Sequence, residues 1–169
     1  KRLLAIVETD GCFSSGLEAA TGCSVRHRTL RVADYGKIAV TLVDVKTETA
    51  VRIAPQLDVR QKAYAYAPDE KKHYYAQLVG YQHMPDAELL TIQPVRLQTP
   101  IGQIVSRAGV RVNCAVCGEE IINEREMMWG ERPLCVACAG PAYYMPEELV
   151  FVVKARKTCP DCQSASHSQ

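Results

Sequence analysis

The chain has 169 residues, 47% hydrophobic and 23% charged, with a formal net charge of +1. That composition supports a packed core and excludes extended disorder. No apolar run approaches the ~18 residues of a membrane helix, and near-neutrality argues against a protein that grips nucleic acid by bulk charge. The chain opens Lys1-Arg2-Leu3-Leu4, with neither a secretory signal nor an initiator Met. The expectation is a cytoplasmic protein cut from a longer gene product.

In chain order, Leu3-Leu4-Ala5-Ile6-Val7 is a continuous apolar run and reads as a buried strand. It ends at Thr9-Asp10-Gly11-Cys12, which places functional groups at a strand's C-terminal end. Ser14 and Ser15 predict the cap of a helix from about Ser15 to Ala20, stopped by Thr21-Gly22. Residues 36–44 alternate apolar side chains on both parities and predict a largely buried strand, with 49–54 as its hairpin partner. Helices are expected from about Pro55 to Tyr66 and from Pro68 to Tyr81, with a helical turn at 87–90. Strands follow at 91–97 and 104–112. Mixed strands and helices without a repeating βαβ pattern predict an α+β class with a mixed or antiparallel sheet.

Eight cysteines carry the sharpest signal. Cys114/Cys117 and Cys135/Cys138 form C-x-x-C pairs separated by seventeen residues, 118–134. Each pair turns tightly enough to aim two thiolates at one ion, and two pairs about 15–20 residues apart complete a tetrahedral zinc site. Four thiolates leave no open position, so the zinc is expected to be structural. Ile121-Ile122 reads as a strand with Met127-Met128-Trp129 as its partner, and Cys135 as the start of a short helix, the layout of a zinc ribbon or treble clef. Trp129 and the two methionines read as the module's own small core or as a contact face, the core being favoured. Residues 114–142 carry two arginines against five glutamates, net −3, which would repel a phosphate backbone. Clustered C-x-x-C pairs with a long cysteine-free stretch point to reduced thiols and metal ligation rather than to disulfides. The expected organisation is a core domain at 1–110, the four-cysteine module at 111–144, and a tail at 145–169 containing a strand near 148–154. A second zinc knuckle in that tail would use Cys159 and Cys162, with His167 as a third ligand and a fourth from elsewhere.

The series Glu8-Thr9-Asp10-Gly11-Cys12, Thr21-Gly22-Cys23 and Asp34-Tyr35-Gly36-Lys37 resembles the formylmethanofuran dehydrogenase E-subunit (FmdE) family, over about residues 1–142 when the four-cysteine module is included. The resemblance implies an α+β core, a homodimer, and a Cys- and His-rich pocket able to hold a second metal beside the structural zinc. The family is named for a molybdenum or tungsten enzyme of methanogenesis, which implies an accessory role toward a redox enzyme, with a metal or a molybdenum-pterin-related ligand. Family members usually carry a His-Gly-His-x-Cys-Pro-Gly segment, which would lie ahead of Lys1. Ser15-Gly16 also stands where the family often has Asp-Ala, and 24–28 replaces a Gly-Lys-rich turn.

Asp10, Cys12 and Cys23 are the candidate pocket or metal residues. Cys12 reads as a thiolate ligand or nucleophile, or else as a small buried hydrophobe. Asp10 reads as a ligand, a base or an Asp-Gly turn former. Cys23 is balanced between soft ligand and core packing. Arg26, His27, Arg28, Arg31 and Lys37 form a basic cluster suited to a small anionic ligand or simply solvated, and Tyr35 matches the family turn. No catalytic residue is identified, and whether the protein is an enzyme stays open. The competing functions are a non-catalytic protein-interaction module with a structural zinc finger and, least favoured by charge, a nucleic-acid-binding regulator.

Overall fold

A computed structural model describes residues 2–145. The C-x-x-C pair at Cys159 and Cys162, His167 and the strand expected near 148–154 lie outside the described residues.

The chain forms two compact units. The first takes the residues up to Arg111 together with Ile122–Glu124, and the second takes Val112–Ile121 and the described chain from Arg125 onward. The first unit is built on β1 (Leu3–Val7), β2 (Leu30–Val32), β3 (Val40–Asp44), β4 (Thr49–Pro55) and β5 (Leu90–Val95). Their order is β2-β1-β3-β4-β5. β1 and β2 are parallel, joined through α1 (Cys12–Thr21), and the other neighbours are antiparallel. The α+β class is therefore as expected, with a mixed five-stranded sheet.

β1 packs apolar side chains on both of its faces. Ala5 and Val7 face α1 and pack with Cys23, Leu30 and Val40 under Phe13 and Leu17. Leu4 faces the other way, with Val43, Ala50 and the short helix α2 (Ile101–Val105), which brings Ile101, Ile104 and Val105 onto the sheet. This double burial is what a continuous apolar run encodes.

Between β4 and β5 the chain forms α3 (Val59–Lys62), a 3-10 turn at Ala63–Tyr66, α4 (His73–His83) and α5 (Asp86–Leu89). Val59, Ala63 and Met84 make its core, with Tyr66, Tyr81 and Leu89 packed around them. His73 and His83 stand at the two ends of α4, both exposed.

Three local expectations are corrected, and one strand is additional to those expected. α1 begins at Cys12 rather than Ser15, and Ser14 and Ser15 do not cap it: their hydroxyls donate back to the Gly11 carbonyl at 2.8 and 3.3 Å. Gly11 turns the chain with φ 75°, a conformation that favours glycine. Leu30–Val32 is a strand too short to show periodicity. Residues 104–112 are not a strand, because Pro100 starts α2 and a turn through Ser106 and Gly109, both at positive φ, intervenes before β6 (Arg111–Asn113). Finally, β7 (Glu120–Ile122) pairs with β6, and β8 (Met127–Trp129) pairs instead with β9 (Arg132–Leu134).

Gly80 makes the tightest backbone approach in the helical segment. A Cβ there would lie 2.3 Å from the carbonyl oxygen of Ala63. In a free helix, Gly→Ala gains about 1 kcal/mol. Here Gly80→Ala should instead lose roughly 1–3 kcal/mol through overpacking, read by chemical denaturation. A variant more stable than the parent would disprove the close contact.

Candidate functional site

Among the described residues, the second unit buries little apolar surface. Its core is Cys114, Ile121 and Leu134, with Val112, Cys135, Cys138 and Ala139 against them. Sulfur therefore forms much of the interior. Gly118, at φ 77°, donates its amide to the Cys114 carbonyl at 3.0 Å and closes the first knuckle. Ala115 N–H donates to the Pro133 carbonyl at 2.8 Å and ties that knuckle to β9. The second knuckle leads into α6 (Val136–Ala139), with Cys135 as its N-cap.

The four sulfurs of Cys114, Cys117, Cys135 and Cys138 all lie within 4.8 Å of one another, and the Cys117 and Cys135 sulfurs are 3.9 Å apart. A disulfide needs about 2.05 Å, whereas thiolates at ~2.3 Å around a tetrahedral zinc have edges of about 3.8 Å. The spacing fits a shared ion. The electrostatics agree. The Cys114 thiol is lowered to about 6 because the amides of Cys135, Cys117 and Val116 point at its sulfur. The Cys138 thiol is pushed up to about 12, first by the sulfur of Cys135 and then by burial. Without a cation the four sulfurs cannot all ionise, and a divalent ion removes that conflict. The donor set therefore fits a soft or borderline metal such as zinc.

Trp129, Met127 and Met128 are not the core of this unit. All three are exposed, Trp129 by 73%, because the buried positions go to Ile121, Leu134 and the sulfurs.

In the first unit, two of the short motifs meet. The Glu8 carbonyl accepts the amides of Tyr35 at 2.9 Å and Lys37 at 3.1 Å, and the Asp34 carboxylate accepts the Gly36 amide at 3.1 Å. Asp10, Cys12, Tyr35 and Lys37 are all exposed around this end of β1. Cys23 is apart from them: it is 2% exposed, packed in the core, with its sulfur 3.7 Å from the Leu3 carbonyl. The basic cluster also divides. Arg28 donates to the Val105 carbonyl and the Ser106 hydroxyl at 2.8 and 2.7 Å, and Arg31 donates to the Ile104 carbonyl at 3.2 Å. Arg26 Nη2 lies 3.0 Å from His27 Nε2, and His27 Nδ1 lies 2.9 Å from the Ser24 hydroxyl. With Nε2 accepting from Arg26, the ring proton belongs on Nδ1 and is donated to Ser24. Among the described residues, the four cysteines are the one group of three or more Cys, His or acidic side chains spaced to share an ion.

The pair that motif reading missed is Glu8 and Arg52. Arg52 donates Nε and Nη2 to the two Glu8 oxygens at 2.6 and 2.7 Å, and the Glu8 side chain is almost wholly buried. The signal was present as a charge in each of two otherwise apolar stretches, Leu3–Glu8 and Ala50–Ala54. The Arg52 hydrogen bonds hold the Glu8 carboxyl below the ordinary carboxylate range, against the upward push of burial.

Two outcomes are expected. Stripping metal with a chelator at neutral pH should abolish amide-exchange protection across 114–139 and leave 3–55 protected; unchanged protection at 114–139 would refute a metal-held unit. Because its folded pKa is depressed, Glu8 contributes stability that is complete above the unfolded value of about 4.3 and is lost as pH falls through the lower folded value. Glu8→Gln should therefore be less stable than the parent near neutrality and lose less stability between neutral and acid pH. Parallel pH profiles in denaturant titrations would contradict the assignment.

Comparison with known proteins is consistent with this architecture. The family described as "FmdE, Molybdenum formylmethanofuran dehydrogenase operon" matches residues 1–91, more than half of the chain. A curated relative from Archaeoglobus fulgidus, named "Probable S-adenosyl-L-methionine-binding protein", is 26% identical over 156 residues. That alignment takes in 83% of this chain and 42% of the relative, so the chain spans less than half the length of the curated relative. A crystal structure of a tungsten formylmethanofuran dehydrogenase FmdE-like protein from Syntrophus aciditrophicus is similar in fold, with a TM-score of 0.51 and 22% identity, covering 85% of this chain and 74% of that one.

Proposed function

The chain belongs to the FmdE family, and from that premise we propose that it is an accessory protein to a redox enzyme, handling a metal or a molybdenum-pterin-related ligand at the end of β1, with a structural zinc in its four-cysteine unit. One observation carries this reading: the Glu8 carbonyl accepts both the Tyr35 and the Lys37 amides, so two separate motif segments are locked around the strand end where Asp10 and Cys12 are exposed. Cys12 and Asp10 leave a thiol and a carboxylate open to a ligand rather than packed in the core. The exposed apolar side chains Ile38, Leu57 and Tyr75 support a homodimer, and the free thiols support a reducing cytoplasmic compartment. The Archaeoglobus relative's name adds S-adenosyl-L-methionine to the ligands worth testing.

A second reading has its own support. Trp129, Met127 and Met128 offer an exposed apolar strip on a net-acidic unit, which favours an interaction module that docks a partner through the finger.

Cys12→Ser and Asp10→Ala alter exposed side chains and should leave the fold intact. Elemental analysis of the full chain should find zinc retained in both variants, while any metal beyond the finger's zinc, or saturable binding of molybdate or S-adenosyl-L-methionine, falls at least roughly tenfold. If both variants match the parent in metal content and in both titrations, the strand-end site is refuted and the interaction module stands.

A further inference from the structure

The sheet face under α2 continues beyond the helix that covers it. Strand register places Leu4, Val43, Ala50 and Val95 in one row across β1, β3, β4 and β5, and α2 buries that row. The next row on the same face is Ile6, Thr41, Arg52 and Gln93, and Glu8 follows on β1. Past the apolar row the face opens into a cleft of about 520 Å³, whose walls include Glu8, Tyr35, Thr41, Arg52 and Arg96 over Ile6 and Ile104.

The polar groups in this cleft are arranged, not scattered. Glu8 is only 7% exposed and takes Arg52 by Nε and Nη2. A guanidinium has five N–H donors in one plane. A carboxylate that grips one edge fixes that plane, and the described hydrogen bonds leave Nη1 uncommitted. A fixed guanidinium edge matches the geometry of an oxyanion better than a swinging cation does. Arg96 adds a second positive charge to the cleft wall, so two guanidinium groups face one carboxylate there. Thr41, 9% exposed, supplies a hydroxyl beside them. The apolar floor lowers the local dielectric and strengthens each contact.

The geometry points to this cleft as a binding site for a small oxyanion-bearing ligand, a phosphate or a carboxylate seated between the Glu8-anchored Arg52 and Arg96. It shares Tyr35 with the strand-end site but opens away from Cys12. α1, which begins at Cys12, packs through Phe13 and Leu17 on the opposite face of β1, that of Ala5 and Val7. The inference requires no metal.

The test is calorimetric titration of the full chain with inorganic phosphate and, separately, with acetate. Saturable binding is expected, weakened by potassium chloride and reduced roughly tenfold or more in Arg96→Ala, the loss that follows from removing one charge-assisted partner. Arg96 is exposed, so this variant should retain the parent circular dichroism and melting transition. Thr41→Val should weaken binding by a smaller factor. Cys12→Ser should bind as the parent does, which separates this site from the metal reading. Saturation by phosphate alone assigns a phosphoryl-bearing ligand, and saturation by acetate assigns a carboxylate. Absence of saturable heat with both probes, or equal binding by Arg96→Ala and the parent, overturns the proposal.

Discussion

β1 runs between β2 and β3 with apolar side chains packed against both of its faces, so its backbone must find every hydrogen bond inside the protein. The demand is greatest where the strand stops. At Glu8 the amide donates to the Ala39 carbonyl, the carbonyl accepts from Tyr35 and Lys37, and the buried carboxylate is satisfied by Arg52. One residue thereby fixes the loop before β3, the side-chain register between β1 and β4, and the polar end of an otherwise apolar face. Removing Arg52 would leave the nearly buried Glu8 carboxylate without its partner, which is far costlier than the pair's net contribution to stability. The cooperative sheet and the exposed motif residues around its end both follow from satisfying that strand terminus.

The four-cysteine unit solves a different problem. Among the described residues its strands are three residues each and its helix is four, lengths that do not sustain themselves in water. Sulfur takes the place of the missing aliphatic core, and the opposite displacement of the Cys114 and Cys138 thiols shows what a cation relieves. Sulfur, Ile121 and Leu134 take the buried positions, and the large apolar side chain of Trp129 is left at the surface.

What the sequence made legible was periodic or chemically punctuated. The run at 3–7, the hairpin at 40–55 and the C-x-x-C pairs each carry a local rule strong enough to survive tertiary packing. The strand expected at 104–112 failed because its apolar residues serve a short helix and then a turn, and alternation over so few residues does not separate these. Ser14 and Ser15 looked like caps, but Gly11 had already turned the chain. Cys23, balanced between ligand and core in the sequence, packs against Ala5, Val7 and Leu30, which are distant in the chain. The Glu8–Arg52 pair spans 44 residues, and only strand register brings it together.

The anchoring of α2 has a kinetic consequence. This helix of five residues is held by Arg28 and Arg31, whose contacts reach back 73 to 78 positions along the chain. A segment so short has no helical life of its own, and loops so long close slowly. It must therefore condense after β1 and β2 have paired and presented both arginines. The same logic runs in reverse on excursions from the native state. α2 is the natural first segment to lift away, baring the Leu4 row while the five strands stay zipped.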